Sequence, residues 1–222
     1  MFIESYKKSK CINGCILFND ESNYLYWEGR KETTDELEIV NFINNDNSNK
    51  NSRILHVGIG NSYVASNINN FKKIDAITIS GNELNHAKKL KINNYNPLFL
   101  NKLTHNAFSK KELSNYDIII DVNLKSFSCC EKAFDNLFLN YVLMLNSKGK
   151  IITGKKGMNW SRILKPTISF SLKKLFHKKL KELDGPDSNK LKIDECLSLS
   201  KIHNMKFHLD SYTNIAYFNK LN

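Results

Sequence analysis

A glycine-containing turn is the feature of this sequence that could most directly bind a ligand. Gly58 and Gly60 follow a short apolar stretch at residues 54–57, and apolar residues at helical spacing resume with Val64 and Ile68. Two glycines between a strand and a helix allow positive φ angles and a close approach of the backbone to a ligand. The first turn of the following helix offers free N–H groups to a polar or anionic group. The turn therefore predicts a binding site at the end of a strand.

A dinucleotide-binding turn needs a third glycine, which this chain lacks. The pattern G-x-G-x-x-G places that glycine where a helix must pack closely on a strand. Here the third position is Tyr63. The acid that binds a ribose at the end of the second strand is also absent, since Thr78 stands there. An NAD-dependent oxidoreductase is therefore ranked below other classes of protein.

Alternating strands and helices are predicted to position this turn. The strands predicted from short apolar runs cover residues 54–57, 75–79, 97–100, 118–122 and 150–153. The pattern Thr33-x-x-Glu36 is a capping box that opens an earlier helix. Apolar residues at i, i+3 and i+4 predict buried helices over residues 127–145 and 192–203. This alternation indicates a parallel sheet that is covered on both faces.

The last part of the chain predicts a different connection. Strands are expected at residues 205–212 and 215–218, with only Thr213 and Asn214 between them. Two strands without a crossover helix must be antiparallel. The first part, at residues 15–27, is predicted to form a hairpin or an extended lead-in to the first helix.

The order of these segments resembles the class I S-adenosylmethionine (SAM)-dependent methyltransferases. Residues 53–62 resemble the first motif of that family, whose pattern accepts a small residue such as Ser62 two positions after the second glycine. Residues 77–88 resemble its second strand and following helix, residues 116–121 its fourth strand, and residues 145–153 the entry to its fifth. The resemblance covers about residues 34–218. The resemblance implies an α/β fold. Its sheet is expected to be Rossmann-like, doubly wound and mostly parallel, with an antiparallel C-terminal hairpin strand.

The resemblance also implies a cofactor and the residues that bind it. SAM is expected over the carboxyl ends of strands 1, 2 and 4, as is general for ligands of open α/β sheets. The implied cofactor-binding residues are His56, Gly58, Gly60, Asn61, Ser62, Thr78, Ile79, Asn101 and Asp121, with Trp27 and Arg30 from a lid that precedes the domain.

Two of these positions depart from the family pattern. His56 stands where the family usually has an acid, and Thr78 where it usually has the acid that binds both ribose hydroxyls. A threonine hydroxyl can make one such bond, whereas a carboxylate can make two. Asn82 and Glu83 are therefore alternative ribose ligands. His56 could equally be a hydrogen-bonded core residue, and Asp121 could simply cap the end of its strand.

The five cysteines are Cys11, Cys15, Cys129, Cys130 and Cys196. The number is odd, and the pair Cys11 and Cys15 has no second pair at zinc-site spacing. The sequence therefore predicts reduced structural cysteines and no metal site.

The net charge of +11 invites a nucleic-acid or membrane-surface interpretation. Only three of the 33 basic residues are arginine, although arginine is preferred for base and bidentate phosphate contacts. Residues 156–187 are predicted to contain a basic amphipathic helix. Such a helix could cap the domain, lie on a membrane or contact nucleic acid. We expect the cap.

The domain organisation expected is an N-terminal lead-in or lid at residues 1–33 and a SAM-binding domain at residues 34–222 with a basic insertion at about 156–187. No apolar run is long enough for a transmembrane segment, and the charged first residues do not look like a signal peptide. A cytoplasmic location is expected.

The function predicted is methyl transfer from SAM to a small-molecule acceptor, which could be anionic or lipid-like. An RNA methyltransferase and a non-catalytic SAM- or nucleotide-binding domain are the alternatives. The motif N-P-P-Y is missing after the fourth strand, which argues against exocyclic amines of nucleic acids as targets. Asn123 and Lys125 are expected to face the substrate there, but the sequence predicts no catalytic base.

Overall fold

The computed structural model describes residues 9–17, 29–109, 113–160 and 189–221. Within these ranges the strands are β1 (Arg53–Val57), β2 (Lys73–Thr78), β3 (Tyr95–Phe99), β4 (Tyr116–Asp121), β5 (Leu145–Gly154), β6 (Met205–Leu209) and β7 (Ile215–Lys220). The helices are α1 (Thr34–Asn45), α2 (Tyr63–Asn67), α3 (Gly81–Lys89), α4 (Glu131–Met144), α5 (Lys155–Asn159) and α6 (Ile193–Ile202). Trp27 and most of the predicted basic insertion lie outside the described residues.

The described strands form a seven-stranded sheet in the order β3-β2-β1-β4-β5-β7-β6. The first five strands in the chain pair in parallel, and β7 is antiparallel to both β5 and β6. The chain moves outward from β1 to β3 and then returns to place β4 on the other side of β1. The carboxyl ends of β1 and β4 therefore meet at a switch point, where Val57 pairs with Asp121. Ligands of open α/β sheets bind at such a point.

Side chains alternate between two apolar layers because successive residues of a strand face opposite sides of the sheet. Ile54 and Ile118 pack in the layer that also holds residues of α1, α2 and α3. Leu55 and Ile119 pack in the other layer, against α4 and α6. That second layer is rich in aromatic rings, and Phe138 lies 5.0 Å from Phe218 between ring centroids. The predicted doubly wound sheet with an antiparallel hairpin is thus confirmed.

The start of α1 agrees with the predicted capping box. The Oγ1 of Thr33 accepts a 3.1 Å hydrogen bond from the amide of Glu36, and the carboxylate of Glu36 accepts a 2.6 Å bond from the amide of Thr33. Both bonds satisfy amides that the first turn of a helix would otherwise leave unpaired. The N-terminus of α1 is therefore capped on both sides of its first turn.

Several predicted boundaries were wrong. The helix predicted over residues 127–145 begins at Glu131, because Cys130 is extended with φ −166° and ψ 163° and residues 122–127 form turns. Strand β5 begins directly at Leu145 rather than after Gly149. Strand β6 ends at Leu209, because the carboxylate of Asp210 accepts hydrogen bonds from the Tyr212 amide and the Thr213 hydroxyl and turns the chain.

The predicted lead-in is described only in part. Lys10 and Ile16 form an antiparallel bridge around a turn, so the chain already reverses at the start of the segment predicted at residues 15–27. The rest of that segment lies outside the described residues. None of the helices in the described ranges is both long and apolar enough to cross a bilayer.

Candidate functional site

The turn after β1 has the backbone geometry that its glycines predict. Gly58 has φ +75° and Gly60 has φ +50°, a region that residues with a Cβ rarely adopt. Gly58 is exposed, and a Cβ built on it would meet no atom within 4 Å. The backbone is therefore open to a ligand on the side where a side chain would otherwise project.

Ser62 is the last residue of the turn, and its side chain anchors the turn to β3. It is a buried residue in the left-handed region with φ +64°, and its Oγ lies 2.9 Å from the hydroxyl of Tyr95. Burial raises the pKa of Tyr95 to about 12, and the nearby charge of Glu83 acts in the same direction. Tyr95 therefore stays a neutral partner of Ser62 across the physiological range, and the side chain of Ser62 anchors the turn.

Asn61 links the turn to the lead-in. Its Nδ2 donates a 3.3 Å hydrogen bond to the carbonyl of Arg30, and its Oδ1 accepts a 3.1 Å bond from the amide of Tyr63. The structure thus brings two predicted site residues, Asn61 and Arg30, next to each other. The lead-in passes directly beside the glycine turn, while Trp27 lies outside the described residues.

An acid reaches the end of β2 even though the strand ends in threonine. The hydroxyl of Thr78 donates a 2.5 Å hydrogen bond to Oε2 of Glu83 and accepts a 3.0 Å bond from the amide of Ser80. Glu83 lies in the first turn of α3 and is buried, with 7% of its surface exposed. Glu83, one of the two alternatives that the sequence left open, therefore brings a carboxylate to the end of β2.

His56 is a buried residue whose Nδ1 has no hydrogen-bond partner among the described residues. It lies on β1 between Ala76 and Ile120, and 1% of its surface is exposed. Burial lowers its pKa to about 4, so the imidazole is neutral near pH 7. Buried polar atoms are normally hydrogen-bonded, and the unpaired Nδ1 does not fit the satisfied core histidine that the sequence allowed.

Asp121 lies at the switch point, and its carboxylate is hydrogen-bonded to two other side chains. Its Oδ2 accepts a 2.7 Å hydrogen bond from Lys102 Nζ and a 2.9 Å bond from the hydroxyl of Tyr141. Lys102 also donates to the carbonyls of Asn123 and Leu124. Lys102 was not among the predicted site residues, although it comes directly after Asn101 at the end of a predicted strand. Together these contacts fix the loop after β3 to the loop after β4.

Known proteins resemble this chain in structure, whereas the sequence comparisons found no relative. No protein-family model and no curated protein matches the chain. The structure resembles the N-methyltransferase NodS from Bradyrhizobium japonicum WM9 in complex with S-adenosylhomocysteine (SAH), with TM-score 0.56 and 12% identity over 91% of this chain and 100% of that chain. It also resembles a TehB-like SAM-dependent methyltransferase from Corynebacterium glutamicum, with TM-score 0.54 and 9% identity over 89% and 92% of the two chains.

A third solved structure, the DhpI–SAM–HEP complex, has TM-score 0.55 and 7% identity over 90% of this chain and 92% of that chain. All three likenesses extend over nearly the whole length of both proteins. The chain has the class I SAM-dependent methyltransferase fold.

In this methyltransferase fold the carboxyl edge of the sheet carries the predicted residues at the ends of β2 and β3. Ile79 directly follows β2 and is half-buried. Asn101 follows β3, and its Oδ1 accepts a 3.0 Å hydrogen bond from the amide of Leu103. The loop that starts at Asn101 therefore has a defined conformation, with Lys102 pointing to Asp121.

The expectation that Lys125 faces a substrate was wrong. Lys125 is buried and forms ion pairs of 2.9 Å with Glu131 and 2.7 Å with Glu195. Burial alone would lower the pKa of Lys125, but the two carboxylates outweigh burial and raise it. Its role in the methyltransferase fold is to join the loop after β4 to α4 and α6.

Asp35 is a second residue that the sequence analysis missed. It lies in the first turn of α1, and 3% of its surface is exposed. Its Oδ2 accepts a 2.9 Å hydrogen bond from the amide of Gly157. Burial raises its pKa. A Cβ on Gly154 would lie 2.2 Å from Cγ of Asp35. The hydrogen bond between Asp35 and Gly157 therefore depends on a glycine at the end of β5, which the sequence pattern does not indicate.

Proposed function

We propose that this protein is a methyltransferase that binds SAM at the carboxyl edge of its sheet and acts on a small acceptor. The observation that carries the proposal is the open, positive-φ turn at Gly58. The amide of Gly58 donates to the carbonyl of Ile77, next to the strand end that the buried carboxylate of Glu83 reaches. A ligand that fits this arrangement has a group able to approach bare backbone and a pair of hydroxyls able to donate to a carboxylate. SAM and SAH have both, and NodS and DhpI, which share the fold, are bound to SAH and SAM.

The proposal assigns each part of the cofactor to residues of this chain. The methionine portion would lie over the turn at Gly58 and Gly60, on the side where Gly58 leaves open space. The ribose would bind Glu83, which Thr78 holds in place through its hydroxyl. Ile79 and Asn101 border the space for the adenine, because they follow the two strands on the same side of β1.

His56 supports the same assignment. Its neutral imidazole has an Nδ1 without a partner among the described residues, next to the strand end that carries the turn. An unpaired buried polar atom costs about 1–3 kcal/mol, and an amino-acid group or an ordered water bound at the turn would offset that cost. The family usually has an acid there, so the histidine would change how the group is held.

The main task of the protein would be to position the cofactor and the acceptor. SAM supplies an activated methyl group on a sulfonium, and transfer is an in-line displacement that needs orientation and a water-poor site. The turn and Glu83 would orient the cofactor. The ion pair of Lys102 with Asp121 would keep the loops after β3 and β4 in fixed positions relative to each other. The lead-in, tied to the turn through Asn61 and Arg30, would cover the site as a lid.

The acceptor is proposed to be a small molecule, with the insertion at about 156–187 forming part of its site. Calorimetry on the full chain with SAM, SAH and NAD tests the cofactor assignment. We expect SAM and SAH to bind and NAD not to bind; tighter binding of NAD would contradict it. Binding of SAM without methyl transfer to any of a panel of small acceptors and RNA would favour the non-catalytic alternative.

RNA as the acceptor gives a different signature. Each phosphate contact releases counterions, so the affinity for RNA should fall log-linearly with salt. Binding of RNA at two salt concentrations and sedimentation with anionic vesicles therefore distinguish the three roles of the basic segment. We expect neither RNA nor vesicles to be bound tightly by the full chain, and strong RNA binding would replace the small-acceptor proposal.

A further inference from the structure

Four of the five cysteines meet at one place in the fold. The Sγ atoms of Cys11, Cys15, Cys129 and Cys130 all lie within 4.8 Å of one another. The first pair comes from the turn near the start of the described chain, and the second pair directly precedes α4. Cys196, the fifth cysteine, is buried in the apolar layer and is not part of this cluster.

We propose that these four cysteines bind one Zn²⁺ ion as thiolates. Structural zinc sites are tetrahedral with four protein ligands and Zn–S bonds of about 2.3 Å, which places the sulfurs about 3.8 Å apart. The upper limit of 4.8 Å in the cluster is about 1 Å wider than this spacing, so small side-chain rotations bring all four sulfurs onto one ion. The proposal is independent of the function proposed above.

The turn that carries the first pair is already shaped like a metal-binding loop. The amide of Asn13 donates a 3.3 Å hydrogen bond to Sγ of Cys11, which would stabilise a thiolate at that position. Gly14 has φ +81° and donates its amide to the carbonyl of Cys11, and the amide of Cys11 donates to the carbonyl of Cys15. Hydrogen bonds of this kind orient the ligands of metal sites and tune their charge.

Other uses of the four cysteines fit the geometry less well. All four are free thiols in the structure. A multi-iron cluster would hold its thiolates on different iron atoms and therefore farther apart than a single ion does. Four thiolates this close would repel one another without a cation, whereas a divalent ion with sulfur ligands and tetrahedral geometry is the environment that favours zinc.

The ion would add to contacts that already hold the segment at residues 9–17 in place. The carbonyl of Lys10 accepts a 2.8 Å hydrogen bond from the amide of His105, and Cys11 and Leu17 pack in the same apolar layer as Leu103 and Phe108. A closed four-ligand site leaves no position for a reactant, so its role is structural. It would join the segment at residues 9–17 to the loop that follows β4.

The test is metal analysis of the full chain, purified without a metal-affinity step, together with serine variants. We expect about one zinc per chain in the wild type and in Cys196→Ser, the matched control. Cys129→Ser should lose most of the zinc while remaining folded, because Cys129 is exposed. Cobalt substitution should give the intense visible bands and the sulfur-to-metal charge-transfer band of a tetrahedral thiolate site.

Alkylation provides a readout that does not depend on how the variants fold. Cys196 is buried and should stay unreactive in the folded protein with or without zinc. The other four thiols should be protected while zinc is bound and become reactive together when a chelator is added. Absence of metal with four reactive thiols, a disulfide among the four in the mass spectrum, or equal zinc in Cys129→Ser and wild type would each overturn the proposal. Iron in place of zinc would overturn the choice of metal.

Discussion

The carboxylate of Glu83 lies 2.5 Å from the hydroxyl of Thr78, so that an acid from the first turn of α3 is carried to the last residue of β2. In the family that the sequence resembles, a ribose-binding acid usually ends the strand itself. Here the strand supplies only the hydroxyl that holds it. The acid is buried, and the cost of burying a charge is offset when it is hydrogen-bonded. In the proposed SAM site, Glu83 and Thr78 together would do what a single strand residue does in the family that the sequence resembles.

Glu83→Gln is the most direct test of this relationship. A hydrogen bond to a charged group contributes about 1.5–3 kcal/mol, so we expect SAM affinity to fall by roughly 10- to 100-fold. Asp135→Asn, at an exposed position on α4, is the matched control and should bind like the wild type. Calorimetry measures both. Unchanged affinity in a folded Glu83→Gln variant would show that the ribose lies elsewhere.

Gly58→Ala tests the open turn. The φ of +75° makes an alanine strained, although a Cβ there meets no protein atom. We expect a small loss of stability, about 1–2 kcal/mol for a residue held in the left-handed region, and a much larger loss of SAM binding. Gly81→Ala is the control, because Gly81 has an ordinary φ and equally open surroundings. Retained SAM binding in Gly58→Ala would mean that the glycine serves only the turn.

Breaking the ion pair between Lys102 and Asp121 should destabilise the fold. Removing one partner of a buried pair costs about 3–5 kcal/mol because the other charge is left unpaired. Lys102→Met should therefore lower the free energy of unfolding by that amount in urea titrations. The double variant with Asp121→Asn should recover part of the loss. If the double variant is as unstable as the sum of both single variants, the two residues do not act as a pair.

His56 should make stability depend on pH. Burial lowers its pKa from 6.5 to about 4, so the unfolded chain binds a proton that the folded chain does not between these values. Stability from this residue is therefore complete above pH 6.5 and is lost as pH falls toward 4, by about 1.4 kcal/mol per pH unit within that interval.

The variant His56→Leu should show a flatter loss of stability between pH 6.5 and 4 than the wild type. His105→Gln, at an exposed position, should keep the wild-type slope. Urea titrations at a series of pH values measure the difference. Identical slopes for His56→Leu and wild type would mean that the imidazole becomes protonated without unfolding the protein.

Local patterns predicted much of the fold but only part of the site. Alternating apolar runs located the strands, and the two residues between the last strands required an antiparallel pair, because these signals are encoded within a few neighbouring residues. The start of α4 was predicted four residues too early, because the apolar spacing continues through Phe127 while Cys130 has an extended backbone. Periodicity reports which side chains face the core and does not report where a helix begins.

The contacts that were not predicted join distant parts of the sequence. Asp35 meets Gly157, and Lys125 meets Glu195. No spacing rule connects residues so far apart. The same reason explains why the cysteine cluster was not predicted. Cys11 and Cys15 were expected to lack a second pair, and the loop after β4 brings two adjacent cysteines, Cys129 and Cys130, next to them. Glu83 was within reach of sequence reasoning because it lies only five residues from Thr78.

The segment at residues 9–17 has consequences for how the chain is made. It touches His105 and meets Cys129 and Cys130, so it leaves the ribosome more than a hundred residues before its last partners do. At a synthesis rate of about 5–20 residues per second, Cys11 and Cys15 spend at least several seconds with no native sulfur contact other than each other. The segment at residues 9–17 thus cannot reach its final place until the loop after β4 has been synthesised.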